Sequence, residues 1–259
     1  MVIKVLGFVK FEPANTRMKP LSRLNTQLAK IKADIRQQIA AGELLQGQKL
    51  LGERALSEQF GTTRITLKDA LIALETEGLI YREERRGWYV SPPRICYNPL
   101  SRYHFQQMIH EQSRIADTKL LNVVKMPADG VYQEVLSVER GCPLLLIQRL
   151  RYIDGRAVLF VENVLKEYLF AGILRFDLTD SLTAIYRNEY GYQTQRSRFE
   201  VIPTSAPSHV AKALNLAEGQ PVLKICRVNY KQDGELMDCE FEYWRPDAVK
   251  IQIDSERMD

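Results

Sequence analysis

Apolar residues along the chain fall first into a helical rhythm and later into a strand rhythm. From Asn25, Leu28, Ile31, Ile35 and Ile39 recur at spacings of three, four and four, a stripe on one helix face that Gly42 stops. A short second helix is expected over Glu53–Phe60, with Ala55, Leu56 and Phe60 facing inward, and Gly61 then supplies a tight turn. Thr62 or Thr63 can cap a third helix, because a threonine hydroxyl accepts from the free amides of a first turn. That helix should bury Leu67, Ala70, Leu71 and Leu74 and end at Gly78. Leu79–Arg82 and Trp88–Val90 read as two short strands around a basic turn, Glu83–Gly87. Pro92 and Pro93 close the unit.

Beyond Pro99 the alternation has period two. Leu144–Tyr152 and Val158–Leu165 read as strands joined at Asp154-Gly155, a hairpin signal, and Val222–Tyr230 with Glu235–Tyr243 repeats the design around Asp233-Gly234. Helices are expected over Tyr103–Gln112, Ser181–Tyr190 and Ser208–Leu214. Strand pairs and helices without strict alternation predict an α+β fold. The expected organisation is a flexible basic arm over 1–20, a first domain over 21–93, a linker over 94–102 and a second domain over 103–254.

Composition narrows the class. With 45% hydrophobic and 26% charged residues among 259, the chain is of globular type. No apolar run approaches the roughly 20 residues that cross a bilayer, and the N-terminus lacks a signal-cleavage pattern, so a cytoplasmic protein is expected. Four dispersed cysteines, Cys96, Cys142, Cys226 and Cys239, suit a reducing compartment and hold no metal-finger spacing. The net charge of +4 is uneven: residues 1–20 and 21–98 each carry +3, and 99–259 carry −2. A polyanion would meet the first third.

Two helices around a glycine turn, followed by a basic hairpin, make a winged helix-turn-helix. In that motif the second helix presents its first turn to base edges in the major groove. Thr63, Arg64, Thr66 and Lys68 occupy that turn. Arg64 can fork onto a guanine edge, while the others suit phosphates or a thymine methyl. Arg54 is placed to touch the backbone, and Arg82, Arg85 and Arg86 cluster at the wing, where a narrow groove attracts guanidiniums. The alternative is a small helical domain whose charges are merely solvated.

These residues, GERALSEQFGTTRITLKDALIALETEGLIYREERRGWYV, resemble the DNA-binding domain of GntR-type bacterial regulators. The resemblance implies DNA contacts at Arg54, Arg64, Thr66 and Lys68, and at Gly87 in the wing. Ile65 departs from the family's usual Thr or Ser, and Glu84-Arg85-Arg86-Gly87 departs from its Gln-Gly-Arg-Gly wing. LLLIQRLRYIDGRAVLFVENVL and VLKICRVNYKQDGELMDCEFEYWRPD are similar to the UTRA effector domain of the HutC branch, a chorismate-lyase-like fold. The matching positions are Arg149, Arg151, Asp154, Gly155 and Glu162, then Arg227, Tyr230, Asp233, Gly234 and Arg245–Asp247. Together the resemblances span roughly 25–254. They imply a ligand-responsive regulator, a repressor on a palindromic operator, acting as a homodimer without cofactor or metal.

Arg149 and Arg151 share one strand face and need anionic partners. Those partners are either a small anionic effector held by bidentate hydrogen bonds or an internal salt bridge to Glu162 or Glu240. Ser181 heads a helix, where free amides attract anions, although an ordinary cap fits it equally. Asp238 stands where the resembled family has Glu, a shorter acid for a ligand amine or hydroxyl. Trp244 could cover a ligand or simply pack. The run Arg85–Pro93 looks like that of regulators associated with phosphonate use; sugar phosphates and carboxylates are the other effector classes. His104, His110 and His209 form no zinc motif, and no phosphate loop or nucleophile elbow occurs. The rival readings are an enzyme built on the lyase-like fold and a constitutive DNA-binding protein whose second domain only dimerises.

Overall fold

A computed structural model describes residues 21–101 and 103–254, so the expected arm over 1–20 lies outside the described residues. The first unit holds helices α1 (Leu21–Ala40), α2 (Glu53–Gln59) and α3 (Arg64–Glu77), then strands β1 (Ile80–Glu83) and β2 (Gly87–Val90). Ile31 and Ile35 of α1 bury against Leu67, Ala70, Leu71 and Leu74 of α3, with Leu56, Ile80, Trp88 and Val90 completing the core. The α2 stripe differs from expectation by one position. Ala55 faces solvent and Ser57 is buried, its hydroxyl satisfied by the Arg54 carbonyl at 2.9 Å. The Trp88 indole donates to Glu53 Oε1 at 2.9 Å, which pins the wing to α2.

The stretch expected as a linker is structural in part. β3 (Ile95–Tyr97) pairs in parallel with β10 (Val249–Ile251), joining the start of the second domain to the end of the chain. Between them run α4 (Phe105–His110), β4 (Ala116–Pro127), α5 (Gly130–Leu136), β5 (Pro143–Ile153) and β6 (Arg156–Lys166). Then follow α6 (Leu182–Tyr190), β7 (Arg196–Ser205), α7 (Ser208–Ala213), β8 (Pro221–Tyr230) and β9 (Leu236–Trp244).

Six strands form one sheet in the order β4-β5-β6-β9-β8-β7, and each adjacent pair is antiparallel. One face carries Leu146, Phe160, Val164, Phe241 and Tyr243 against Leu136 of α5, Val210 of α7 and Leu214 just past it. The other face has two apolar clusters. Leu159, Val161, Ile225 and Trp244 pack under α4, while Leu145, Ile147, Leu165 and Met237 pack under α6.

The two Asp-Gly turns are not equivalent. Asp154 and Gly155 both have positive φ (49° and 78°), the backbone of a tight twisted hairpin. At Asp233-Gly234 only the glycine does, and the Lys231 amide instead spans the loop to the Glu235 carbonyl at 2.8 Å.

Candidate nucleic-acid interface and ligand cavity

Thr63 is the residue that caps α3: its side chain accepts from the Thr66 amide at 3.2 Å. The two hydroxyls also share a hydrogen bond of 3.0 Å, and Thr66 is only 5% exposed. Thr66 is therefore spent inside the cap, which corrects its expected place among the DNA contacts. The first turns of α3 expose Arg64, Ile65, Lys68 and Asp69, and Ile65 is 76% exposed. An isolated apolar side chain between two cations suits a thymine methyl. Arg54 is exposed on α2 and pairs with Glu58 at 3.0 Å.

The wing tip exposes Arg85 and Arg86, with Arg86 leaning on Glu83 at 2.8 Å. Arg85 (φ 61°) and Gly87 (φ 102°) make its turn left-handed, so Arg85 occupies backbone that favours glycine. Lys49, bridged to Tyr89 and exposed, adds a cation beside Gly87 that sequence reasoning missed. It lies in a loop with no periodicity to mark it.

The second site lies on the sheet face between the two apolar clusters. Here β4, β5, β8 and β9 floor a cavity of about 480 Å³. Its walls come from the segment around Tyr97 and Phe105, the entry to α6 at Asp180–Ser181, and the start of β7. Arg149, Arg151, Ser181 and Glu240 line it, as does Arg227, which the sequence reading quoted as part of a pattern without assigning it to a site. Arg227 holds Tyr97 and Glu242, the latter at 3.2 Å. Burial works against its charge, but Tyr97, Glu240 and Glu242 prevail and hold its pKa above the ordinary value.

Arg149 is 2% exposed. Its guanidinium reaches Asn163 Oδ1 at 2.8 Å and the Asp180 carbonyl at 3.0 Å, and touches no carboxylate among the described residues. Burial, reinforced by Arg151, pulls its pKa down to about 9. Arg151 stacks 4.8 Å over Phe105, its Nε has no partner among the described residues, and burial lowers its pKa too. Arg149 is thus buried and Arg151 half-buried, neither hydrogen-bonded to a carboxylate among the described residues, while Glu240 and Glu242 act on both through space.

Glu162 is not part of this site. Between Arg151 and Tyr152 the β5–β6 ladder shifts register, so Arg151 faces Leu159, and Gln148 faces Glu162. Glu162 thus lies on the opposite face, bound to Gln148 at 3.0 Å and His209 at 3.3 Å. That removes both its expected ligand role and the salt bridge to Arg149 or Arg151. Asp238 stays on the cavity face but is wholly buried, accepting from Asn229 at 3.2 Å. Burial, with Glu240 beside it, pushes its pKa up to about 8. Ser181 lines the cavity while its hydroxyl accepts from the Ala184 amide at 3.2 Å, so it acts as a cap. Trp244 also lines the cavity, its indole donating to Glu242 at 2.8 Å.

Comparison with known proteins agrees with this two-part layout. Residues 27–90 match the family described as bacterial regulatory proteins, gntR family, and residues 111–250 match the UTRA domain. The HTH-type transcriptional regulator GgaR of Escherichia coli is 30% identical over 226 residues, covering 86% of this chain and 89% of that one. The mannosyl-D-glycerate transport/metabolism system repressor MngR of the same organism is 25% identical over 223 residues, covering 86% and 93%. PhnF from Mycobacterium smegmatis, 24% identical, superposes with a TM-score of 0.62 over 88% of this chain and 100% of its own, and shares the fold. The chain belongs to the gntR family of bacterial regulatory proteins, HutC branch: it is a DNA-binding transcriptional regulator with a UTRA effector domain, and not an enzyme.

Proposed function

We propose that the protein is a ligand-responsive cytoplasmic repressor that binds a palindromic operator as a homodimer and is released by a small anionic metabolite. The observation that carries this reading is the pair Arg149, buried, and Arg151, half-buried, neither hydrogen-bonded to a carboxylate among the described residues, at the wall of a cavity large enough for a metabolite. A phosphonate, sugar phosphate or carboxylate supplies the missing charge. Two-fold symmetry of the dimer matches that of the operator. Arg64, Ile65 and Lys68 read one half-site while Arg54, Thr63, Arg85, Arg86 and the Gly87 backbone hold the phosphates. The effector acts through its differential affinity for the DNA-competent and incompetent states. A relative that carries the name of repressor is consistent with the sign of regulation.

The test titrates the bound operator with methylphosphonate, a hexose phosphate and a dicarboxylate. One class is expected to release the wild type. Arg151→Ala removes charge-assisted bonds worth about 1.5–3 kcal/mol each, so the variant should keep its operator at concentrations that release the wild type. A folded Arg151→Ala protein that lets go at the wild-type concentration would take Arg151 out of the site.

A further inference from the structure

The winged domain is bolted to the sheet. Tyr81 of β1 is 5% exposed although its wing has only two strands, because two guanidiniums cover its ring. Arg156 lies 3.4 Å and Arg245 5.3 Å from the ring centre. Both turn to Asp247, Arg245 at 3.3 Å and Arg156 in a second ion pair. Arg245 also donates to the Arg82 carbonyl at 2.8 Å and to the Leu214 carbonyl, just past α7, at 2.9 Å. Beside this fork the Glu84 amide donates to the Asn215 carbonyl at 2.9 Å, and Gln220 donates to Glu75 at 3.1 Å.

Arg245 is 1% exposed, and burial lowers its pKa. If the contact served packing alone, an apolar side chain would do as well or better in so dry a place. What only a planar guanidinium supplies is a fixed fork between a wing carbonyl and an effector-domain carbonyl. The residue also sits next to the cavity. It follows Trp244, whose ring packs on Tyr97 and Phe105, with centroids 5.8 and 6.3 Å apart, and its own amide donates to Val158 of β6 at 2.9 Å. Any shift of the Trp244 end of β9 reaches the wing within one residue.

We propose that Arg245 is a positioning residue for DNA recognition. Through the Arg82 carbonyl it fixes the angle at which the winged domain leaves its sheet, and hence the separation of the two recognition helices in the dimer. This rests on the homodimer and two-fold operator proposed above.

The experiment selects binding sites from random duplex DNA with the full wild-type chain, then changes the half-site spacing by one base pair either way. Wild type should lose about tenfold or more on each respaced duplex, since helix separation must match the groove repeat. Arg245→Met should bind the three spacings within about threefold of one another while keeping the same base preference in each half-site. Arg245→Lys, which keeps the charge but replaces the planar fork with a single ammonium, should fall between. Tyr81→Leu removes the ring from the wing side without stranding a charge and should relax spacing in the same way.

Unchanged spacing discrimination in folded variants, with affinity lowered equally on every duplex, would overturn the positioning role alone. Loss of folding in both Arg245→Met and Tyr81→Leu would assign the cluster to stability and overturn it too. A wild-type selection that returns a single half-site would overturn the dimeric reading, and the spacing role with it.

Discussion

Adjacent residues on α3 have opposite fates: Ile65 is 76% exposed while Thr66 is 5% exposed and bonded to its own cap. Its place in the first turn and the family resemblance favoured Thr66 for DNA, and burial in the cap reverses that. Arg64→Ala should cost about 1–3 kcal/mol on the selected operator and blur one base pair, whereas a scrambled duplex should lose far less. Binding isotherms on both DNAs decide it, since equal losses would make Arg64 a phosphate contact. Asp238 allows a second prediction at this scale. Its folded pKa of about 8 stands above the ordinary 3.8. Between those values the unfolded chain has already released the proton that the folded state keeps, so rising pH favours unfolding. Wild type should therefore lose stability relative to Asp238→Asn from about pH 4 to about pH 8, by an amount on the order of a few kcal/mol. Denaturant melts across that range check it; a gap that stays constant with pH would place the carboxylate in its ionised form.

Elements with a regular apolar repeat bounded by turn or cap residues were legible. α3 and the strands β5, β6, β8 and β9 appear within a residue or two of their expected ends, whereas α1 starts at Leu21, four residues before Asn25. β4 and β7 escaped notice because they are the edge strands. Both carry long runs of exposed positions, so no inside–outside alternation marks them. β3 and β10 are three residues each and pair across more than 150 positions, which no local pattern can announce. The α3 cap was legible as a choice between two threonines, and the structure selects Thr63. Thr63→Ala should cost about 1 kcal/mol of stability and Thr63→Ser almost nothing. Denaturant midpoints of the full chain measure both, and equal midpoints for wild type and Thr63→Ala would deny the cap its role.

At the scale of the molecule, the chain places its helix-turn-helix in one domain and Arg149 and Arg151 in the other, with Arg245 and Arg156 across the join. The sequence by itself determined the two domains, the recognition helix, the basic wing and the shared face of Arg149 and Arg151. Each follows from periodicity or from turn and cap chemistry acting within a few residues. It could not determine which carboxylates face those arginines. A hairpin with a two-residue turn and no bulge would put Glu162 on their side of the sheet. The extra residue at Val158 moves it to the other, because side chains alternate with period two and a single insertion reverses the parity. The cavity wall at Tyr97, the pairing of Arg227 with Glu242 and the fork of Arg245 on the wing join residues 15 to 163 positions apart. Such contacts depend on how the sheet twists and where its edges dock, and only the folded chain sets those distances.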